Sequence, residues 1–269
     1  MISVRKSGDR LHELAGLQEI WHTFKPHAHA GHERVATSDW ESGFGLLESL
    51  QESEIEPLGF LLRHAQRDAV ILTFVQQGAL VWEDSLGGSG LVQTGEFWRM
   101  TSGRGVIYRE ANASRTHPVR VVQLWLSPPR FNLETSHEHK HFTAAERRGA
   151  LCLIATADGR DGSLAIHQDA MVYSALLDAG THIAHALEPG RNAWLHVLDG
   201  EVTLGDQILS AGDGAGFVDE LVVSFRTRNN TTTEILLIDL GPSQNDRVRQ
   251  TSRRRRLLSL VEENQPRGH

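Results

Sequence analysis

Short apolar runs broken by glycine turns are the feature that most constrains how this chain can fold. Eight runs of four to eight residues are rich in aliphatic and aromatic side chains, and turn pairs such as Asp158-Gly159 and Asp199-Gly200 separate them. Runs of this length between Gly and Asp are typical of β-strands, because amphipathic helices need longer periodic segments. The sequence therefore predicts an all-β protein. The runs are Ala69–Val75, Ala79–Trp82, Val119–Leu126, Leu151–Ala155, Met171–Leu177, Ala193–Leu198, Leu221–Phe225 and Glu234–Leu240.

The same pattern of strands and turns occurs twice along the chain. In the first half, a turn at Gln77-Gly78 is followed by the segment from Gln93 to Phe97. In the second half, a turn at Asp199-Gly200 is followed by the segment from Ser210 to Gly214. Repetition at this scale indicates a duplicated unit, and closing each unit into a barrel would protect its strand edges. We therefore predict two antiparallel β-barrels of the jelly-roll type, that is, double-stranded β-helices.

A polar stretch that follows two prolines, Pro128 and Pro129, separates the two halves. It interrupts the apolar pattern, as expected of a linker. The predicted organisation is an N-terminal barrel at residues 1–130, a linker at 131–148, a C-terminal barrel at 149–242 and a basic tail at 243–269.

Composition excludes several classes of protein. No run of about 18 apolar residues is present, so no membrane-spanning helix is expected. The first residues are too polar for a signal peptide, and the single cysteine, Cys152, rules out an internal disulfide. A net charge of −7 argues against nucleic acid as a partner, although the tail carries the basic tetrad Arg253–Arg256. We expect a cytoplasmic protein that is a monomer or a weak dimer and binds neither membrane nor nucleic acid.

An ordered set of short motifs resembles the pirin-like bicupin family across nearly all of residues 1–242. The motifs are His22-Thr-Phe24, Arg67-Asp68, Asp84-Ser-Leu-Gly87, Met100 with Gly103 and Gly105, Glu110-x-Asn112, Gln123-Leu-Trp125, Ser210-Ala-Gly-Asp-Gly214, Asp219-Glu220 and Leu237-Ile-Asp-Leu240. The resemblance implies a bicupin fold, and some relatives act as quercetinase-type dioxygenases. It also implies that the metal-ligand positions of the family fall on His64, Gln66, Tyr108 and Glu110. A redox-sensitive branch with a similarly eroded first-barrel site matches best.

The four positions differ from the His, His, His and Glu that metal-binding pirins carry. Residues two apart in a strand point to the same face, so His64 and Gln66 aim into one space, as do Tyr108 and Glu110. Imidazole and carboxylate are strong ligands, whereas an amide oxygen is weak and a phenol must first lose a proton. Only His64 and Glu110 are therefore strong donors. We expect a degenerate metal site that holds no metal, or a divalent ion such as Fe, Ni, Cu or Zn at low occupancy.

Two uses of such a pocket remain open from the residues alone. The four side chains could hydrogen-bond to one another, or they could bind a small polar molecule without metal.

Other histidines and the cysteine give weaker signals. His27, His29 and His32 are interpreted as surface loop residues, and so are His137, His139 and His141. His182 and His185 have the wrong spacing for one strand face, which indicates a structural second barrel. Cys152 lies in an apolar run and is interpreted as an inert thiol. No Gly-x-Ser-x-Gly, Walker or His-Glu-x-x-His motif is present.

Three classes of function follow from these observations. The first is a pirin-like bicupin that binds a small molecule or acts in a stress or redox response, without strong enzymatic activity. The alternative is a metal-dependent, quercetinase-like dioxygenase. The second alternative is a pirin that modulates transcription or another protein by contact with a protein partner.

Overall fold

The computed structural model describes residues 1–25, 43–60, 64–228 and 232–242, and these residues are nearly all β. The first half holds β1 (Ile2–Arg5), β2 (Leu11–Ala15), β3 (Gln18–Phe24), β4 (Leu47–Ile55), β5 (His64–Gln66), β6 (Val70–Gln77), β7 (Ala79–Asp84), β8 (Ser89–Gln93), β9 (Glu96–Thr101), β10 (Val106–Asn112), β11 (Val119–Leu126) and β12 (Ser136–His141). The second half holds β13 (Cys152–Thr156), β14 (Leu164–Ala165), β15 (Ala170–Leu177), β16 (His182–Ala186), β17 (Asn192–Asp199), β18 (Glu201–Leu204), β19 (Gln207–Ser210), β20 (Gly214–Phe217), β21 (Val222–Thr227) and β22 (Thr233–Leu240). The helical parts of the described chain are two 3₁₀ turns, Ser7–Asp9 and Arg160–Gly162.

Each half forms a seven-stranded and a four-stranded sheet. In the first half the strand orders are β12-β9-β6-β11-β4-β3-β2 and β5-β10-β7-β8. In the second half they are β1-β20-β17-β22-β15-β13-β14 and β16-β21-β18-β19. The equal strand numbers and the similar orders confirm the predicted duplicated, all-β bicupin architecture.

The two large sheets bury their apolar faces against each other. One core cluster combines residues of the first half, such as Val122 and Leu124 on β11, with residues of the second half, such as Leu236 and Ile238 on β22. Two further clusters fill the interiors of the two barrels. Strands buried on both faces need apolar side chains at nearly every position. This burial explains why the sequence shows unbroken apolar runs there instead of alternation.

The structure differs from the predicted domain boundaries at both ends of the first barrel. Strand β1 pairs with β20 and therefore belongs to the sheet of the second half. Strand β12, within the predicted linker 131–148, pairs with β9 and covers the edge of the first large sheet. Both strands are edge strands of few apolar residues, so their side chains carry no strong periodic signal. The predicted linker 131–148 therefore contains a strand of the first large sheet at Ser136–His141.

The described pairing also departs from the predicted antiparallel pattern, at one strand pair and at the isolated parallel bridge between Arg148 and Leu176. Strands β13 and β14 pair in parallel over two residues each, with Ala155 opposite Leu164. The 3₁₀ turn at Arg160–Gly162 lies in the short connection between these two strands. None of the helices in the described ranges is long and apolar enough to cross a membrane. The tail and the predicted loop histidines at positions 27, 29 and 32 lie outside the described residues.

A candidate ligand site in the N-terminal barrel

Strands β5 and β10 bring the predicted site residues together. In their antiparallel register His64 lies opposite Tyr108, and Gln66 lies opposite Val106. Glu110 follows on the same face of β10 and lies opposite Trp82 of β7. Directly opposed residues and residues two apart share a face of the sheet. The register therefore puts His64, Gln66, Tyr108 and Glu110 on one face of the sheet, and of these the side chains of His64, Tyr108 and Glu110 reach one cavity.

These three side chains line a cavity of about 560 Å³ at one end of the first barrel. The β2–β3 hairpin forms one wall, and its two-residue turn begins with Gly16 at a φ of +63°, a conformation that favours glycine. The described lining residues are Glu13, Ala15, Gly16, Leu17, Gln18, Ile20, His22, Gln51, Gly59, Phe60, His64, Tyr108, Glu110, Gln123 and Trp125.

Gln66 is absent from this lining, contrary to the predicted four-residue pocket. Gln66 lies two residues after His64 on β5, opposite Val106, and its side chain is half-buried. Two residues along a strand correspond to roughly 6–7 Å, which places Gln66 beyond the level of His64 and Tyr108. The structure therefore brings together three of the four predicted residues.

Glu110 is the most buried polar group of the site, with 1% of its surface exposed. The side-chain amide of Gln123 donates to the carboxylate, with Nε2 at 2.9 Å from Oε1 and 3.1 Å from Oε2. Gln51 Nε2 in turn donates to Gln123 Oε1 at 2.8 Å, which fixes the orientation of the Gln123 amide. Burial raises the pKa of Glu110 to about 7, and the hydrogen bond from Gln123 opposes this shift. The carboxyl group therefore changes its charge near neutral pH.

Tyr108 is a neutral group beside this carboxyl group, and His64 lies beside Tyr108. Burial, together with the negative charge of Glu110, raises the pKa of Tyr108 well above its ordinary value. The ring centroid of His64 lies 5.9 Å from that of Tyr108, at the more exposed side of the site. Partial burial lowers the pKa of His64, which favours the uncharged imidazole.

A row of polar side chains across the large sheet forms the wall that sequence reasoning missed. His22 lies opposite Gln51, Gln51 opposite Gln123, and Gln123 opposite Thr73, on four adjacent strands. In the sequence, His22 and Gln123 stand out only as parts of family motifs, and Gln51 carries no signal of its own. Each is a polar residue at an inward position of a largely buried strand. That signal is readable only once the strand register is known.

Several buried polar atoms around the cavity have no hydrogen-bond partner among the described residues, and the imidazole of His22 contributes one donor and one acceptor to them when it is neutral. They are Nε2 of Gln18, both ring nitrogens of His22, and Nε1 of Trp125. His22 Nε2 lies 3.4 Å from Glu13 Oε2 without forming a hydrogen bond. Burial is the main cause that lowers the pKa of His22, and the charge of Lys25 adds to it. Unpartnered buried polar groups are uncommon in proteins and point to a bound molecule or water.

The donor set does not fit a tightly held transition metal. In the part of the chain that the structure describes, no three His, Cys, Asp or Glu side chains lie close enough together to hold a metal ion. Gln66 is not among the described lining residues, and the phenol of Tyr108 keeps its proton, so His64 and Glu110 are the strong donors of the described lining. A transition-metal site usually needs at least three strong protein ligands.

The other predicted histidines have structural surroundings. His137 on β12 stacks on Trp82 and Trp98, and its Nε2 lies 2.7 Å from Asp84 Oδ2. His185 lies 2.9 Å from a carboxylate of the second barrel, Asp239. The interpretation of His137 as a loop residue was therefore wrong, because it packs from a strand into the first barrel.

Cys152 is half-buried, and burial raises the pKa of its thiol. A raised pKa disfavours the reactive thiolate form.

Comparison with known proteins identifies similar sequences and folds over most of the chain. The family model described as Pirin matches residues 37–126, and the model described as Quercetinase C-terminal cupin domain matches residues 153–240. Quercetin 2,3-dioxygenase of Escherichia coli (strain K12) is 31% identical over 242 residues, covering 90% of this chain and 100% of the relative. The Pirin-like protein of Caulobacter vibrioides is 30% identical over 229 residues, covering 84% of this chain and 96% of the relative.

Solved structures show the same similarity. The crystal structure of YhhW from Escherichia coli has a TM-score of 0.80 at 31% identity, covering 90% of this chain and 98% of YhhW. A structure of the same bacterial pirin in complex with nickel(II) has a TM-score of 0.80 at 30% identity, covering 90% of this chain and 100% of the other.

Proposed function

The chain belongs to the pirin family of bicupins, and on that premise we propose that its N-terminal cavity binds a small organic molecule without a tightly held transition metal. The observation that carries the proposal is the small number of strong ligands. Of the predicted ligand positions on β5 and β10, the imidazole of His64 and the carboxyl group of Glu110 are the strong donors in the described lining. Two strong donors are fewer than the three that a transition-metal site usually needs.

The lining supports a ligand that is mainly apolar and carries a few polar groups. Leu17, Ile20, Phe60 and Trp125 provide apolar and aromatic surface, and the cavity volume of about 560 Å³ suits a small organic molecule. The unpartnered polar atoms of Gln18, His22 and Trp125 would gain hydrogen bonds from polar groups of such a molecule.

A metal-dependent quercetin dioxygenase is the second candidate. It is favoured by the names of the relatives, Quercetin 2,3-dioxygenase among them, and by the nickel(II) complex of the Escherichia coli pirin. His64 and Glu110 would be the residues of this chain nearest to such an ion. A bound transition metal would supply Lewis-acid and redox chemistry for oxygenation. The residues of this chain would then only hold the substrate and the metal.

Metal content of the purified protein separates the two candidates. We expect well under one equivalent of Fe, Ni, Cu or Zn by elemental analysis, because the described lining offers only two of the three strong ligands that such an ion usually needs. Near-stoichiometric metal that survives dialysis against a chelator would contradict the proposal.

Aerobic turnover of quercetin provides the complementary measurement. With Fe(II), Ni(II), Cu(II) or Mn(II) added, we expect no turnover above the free-metal control. Turnover that is well above this control and is lost in Glu110→Gln would assign the protein to the dioxygenases.

A further inference from the structure

Among the described residues, Glu110 is a buried acid without the cationic partner that the buried acids Asp213 and Asp239 have. Asp213 pairs with Lys6 at 2.9 Å, and Asp239 pairs with Arg191 at 2.5 Å. For Glu110 the hydrogen-bond donor in the described structure is the neutral amide of Gln123. Buried carboxylates are normally paired with a cation, because an isolated charge is costly in a medium of low polarity.

The described wall of the cavity places no cationic side chain against Glu110. Among the described lining residues there is neither Lys nor Arg. A second acid, Glu13, lies in the lining of the β2–β3 hairpin. Glu13 already has a cation beside it, because Lys25 Nζ lies 3.4 Å from its Oε2, whereas the described structure gives Glu110 no such partner.

The cavity also offers aromatic surface of the kind that attracts cations. Tyr108 adjoins Glu110 on β10, and Phe60 and Trp125 contribute to the same lining. Aromatic faces attract ammonium groups through the ring quadrupole, most strongly where water is excluded. A buried carboxyl group and aromatic rings in one cavity complement a positively charged organic molecule.

We propose that the cavity binds a small organic cation, a protonated amine on an apolar or aromatic body, with the ammonium group against Glu110. The proposal deepens the proposed function and rests on it, because the amine takes the countercharge position in a site without tightly held metal. The ammonium group would donate to the free lone pairs of the carboxylate, while Gln123 keeps its own hydrogen bonds to the same oxygens.

Two probes of nearly equal shape test this inference by calorimetry on chelator-treated protein. 2-Phenylethylamine carries an ammonium group at neutral pH, and 2-phenylethanol carries a hydroxyl group in its place. We expect the amine to bind about tenfold more tightly or better, as a desolvated charge pair with aromatic contacts implies. Equal affinities, preference for the alcohol, or binding of neither probe would overturn the inference. This comparison needs no variant protein.

Two substitutions with the same change of charge then locate the effect. Glu110→Gln should remove the preference for the amine. Glu83→Gln should retain it, because Glu83 pairs with Arg109 on the outer face of the same strands, at 2.8 Å. Retention of the amine preference in Glu110→Gln would overturn the inference. A protein that keeps stoichiometric metal before chelation would contradict the proposed function instead, so the two failures are distinguishable.

Discussion

At the scale of the residue, the state of Glu110 determines the chemistry of the site. The carboxyl group is buried within a barrel whose neighbouring interior is apolar, and a chain of amides from Gln51 through Gln123 holds it in place. The hydrogen bonds of this chain run in one direction, because Gln51 Nε2 donates to Gln123 Oε1 and Gln123 Nε2 donates to the carboxyl group. The remaining capacity of the carboxyl group is therefore available to a ligand in the cavity.

The pKa of Glu110 predicts how stability depends on pH. The folded state binds this proton up to about pH 7, whereas the carboxyl group of the unfolded chain releases it near its ordinary value of 4.5. The stabilising contribution is fully present below pH 4.5 and is lost as the pH rises through 7. We expect Glu110→Gln to become more stable relative to wild type by about 3 kcal/mol between pH 4.5 and pH 8.

Urea unfolding of both proteins across this pH range measures the difference directly. Glu83→Gln serves as the control, because its side chain is on the exposed outer face. Parallel stability profiles for wild type and Glu110→Gln would show that Glu110 is ionised in the folded state at low pH, contrary to this account.

At the scale of the element, the sequence predicted the strands of the barrels better than their register. Apolar runs such as Val119–Leu126 became buried strands, since both faces of the large sheets are covered. The pocket strands were also recognised, and His64, Tyr108 and Glu110 line one cavity. The position of Gln66 and the role of Gln51 depend on which residues are paired between strands, and periodicity along one strand does not contain that information.

The register of β5 and β10 leads to a prediction about metal binding. Tyr108→His would add a third strong ligand beside His64 and Glu110, so we expect it to raise the affinity for Ni(II) by at least about tenfold. Adding Gln66→His should give little further gain, because Gln66 lies outside the cavity lining. Equilibrium dialysis with elemental analysis measures all three proteins. A double variant that binds far more tightly than Tyr108→His would show that β5 turns Gln66 towards the cavity.

At the scale of the whole molecule, the two halves are joined by more than the connection between them. The large sheets share one core cluster, and Phe24 of the first half contacts Trp194 of the second with ring centroids 4.7 Å apart. Strand β1 also connects the two halves, since it precedes the first barrel in the chain yet pairs with β20 of the second. Folding of either half alone would expose the shared apolar faces to water. We therefore expect a single cooperative unfolding transition.

Matched truncations at the two ends test this view of the molecule. Deleting residues 243–269 should leave the melting temperature unchanged within about 2 °C, because every described strand ends by Leu240. Deleting residues 1–6 should lower it by several degrees, since the deletion removes the β1 ladder with β20 and the ion pair of Lys6 with buried Asp213. Differential scanning calorimetry of the two truncated proteins and the full chain provides the measurement.

A large loss of melting temperature on removal of the tail would mean that the apolar segment Leu257–Val261 packs against a barrel or a second chain. An unchanged melting temperature without residues 1–6 would mean that the second sheet closes without β1.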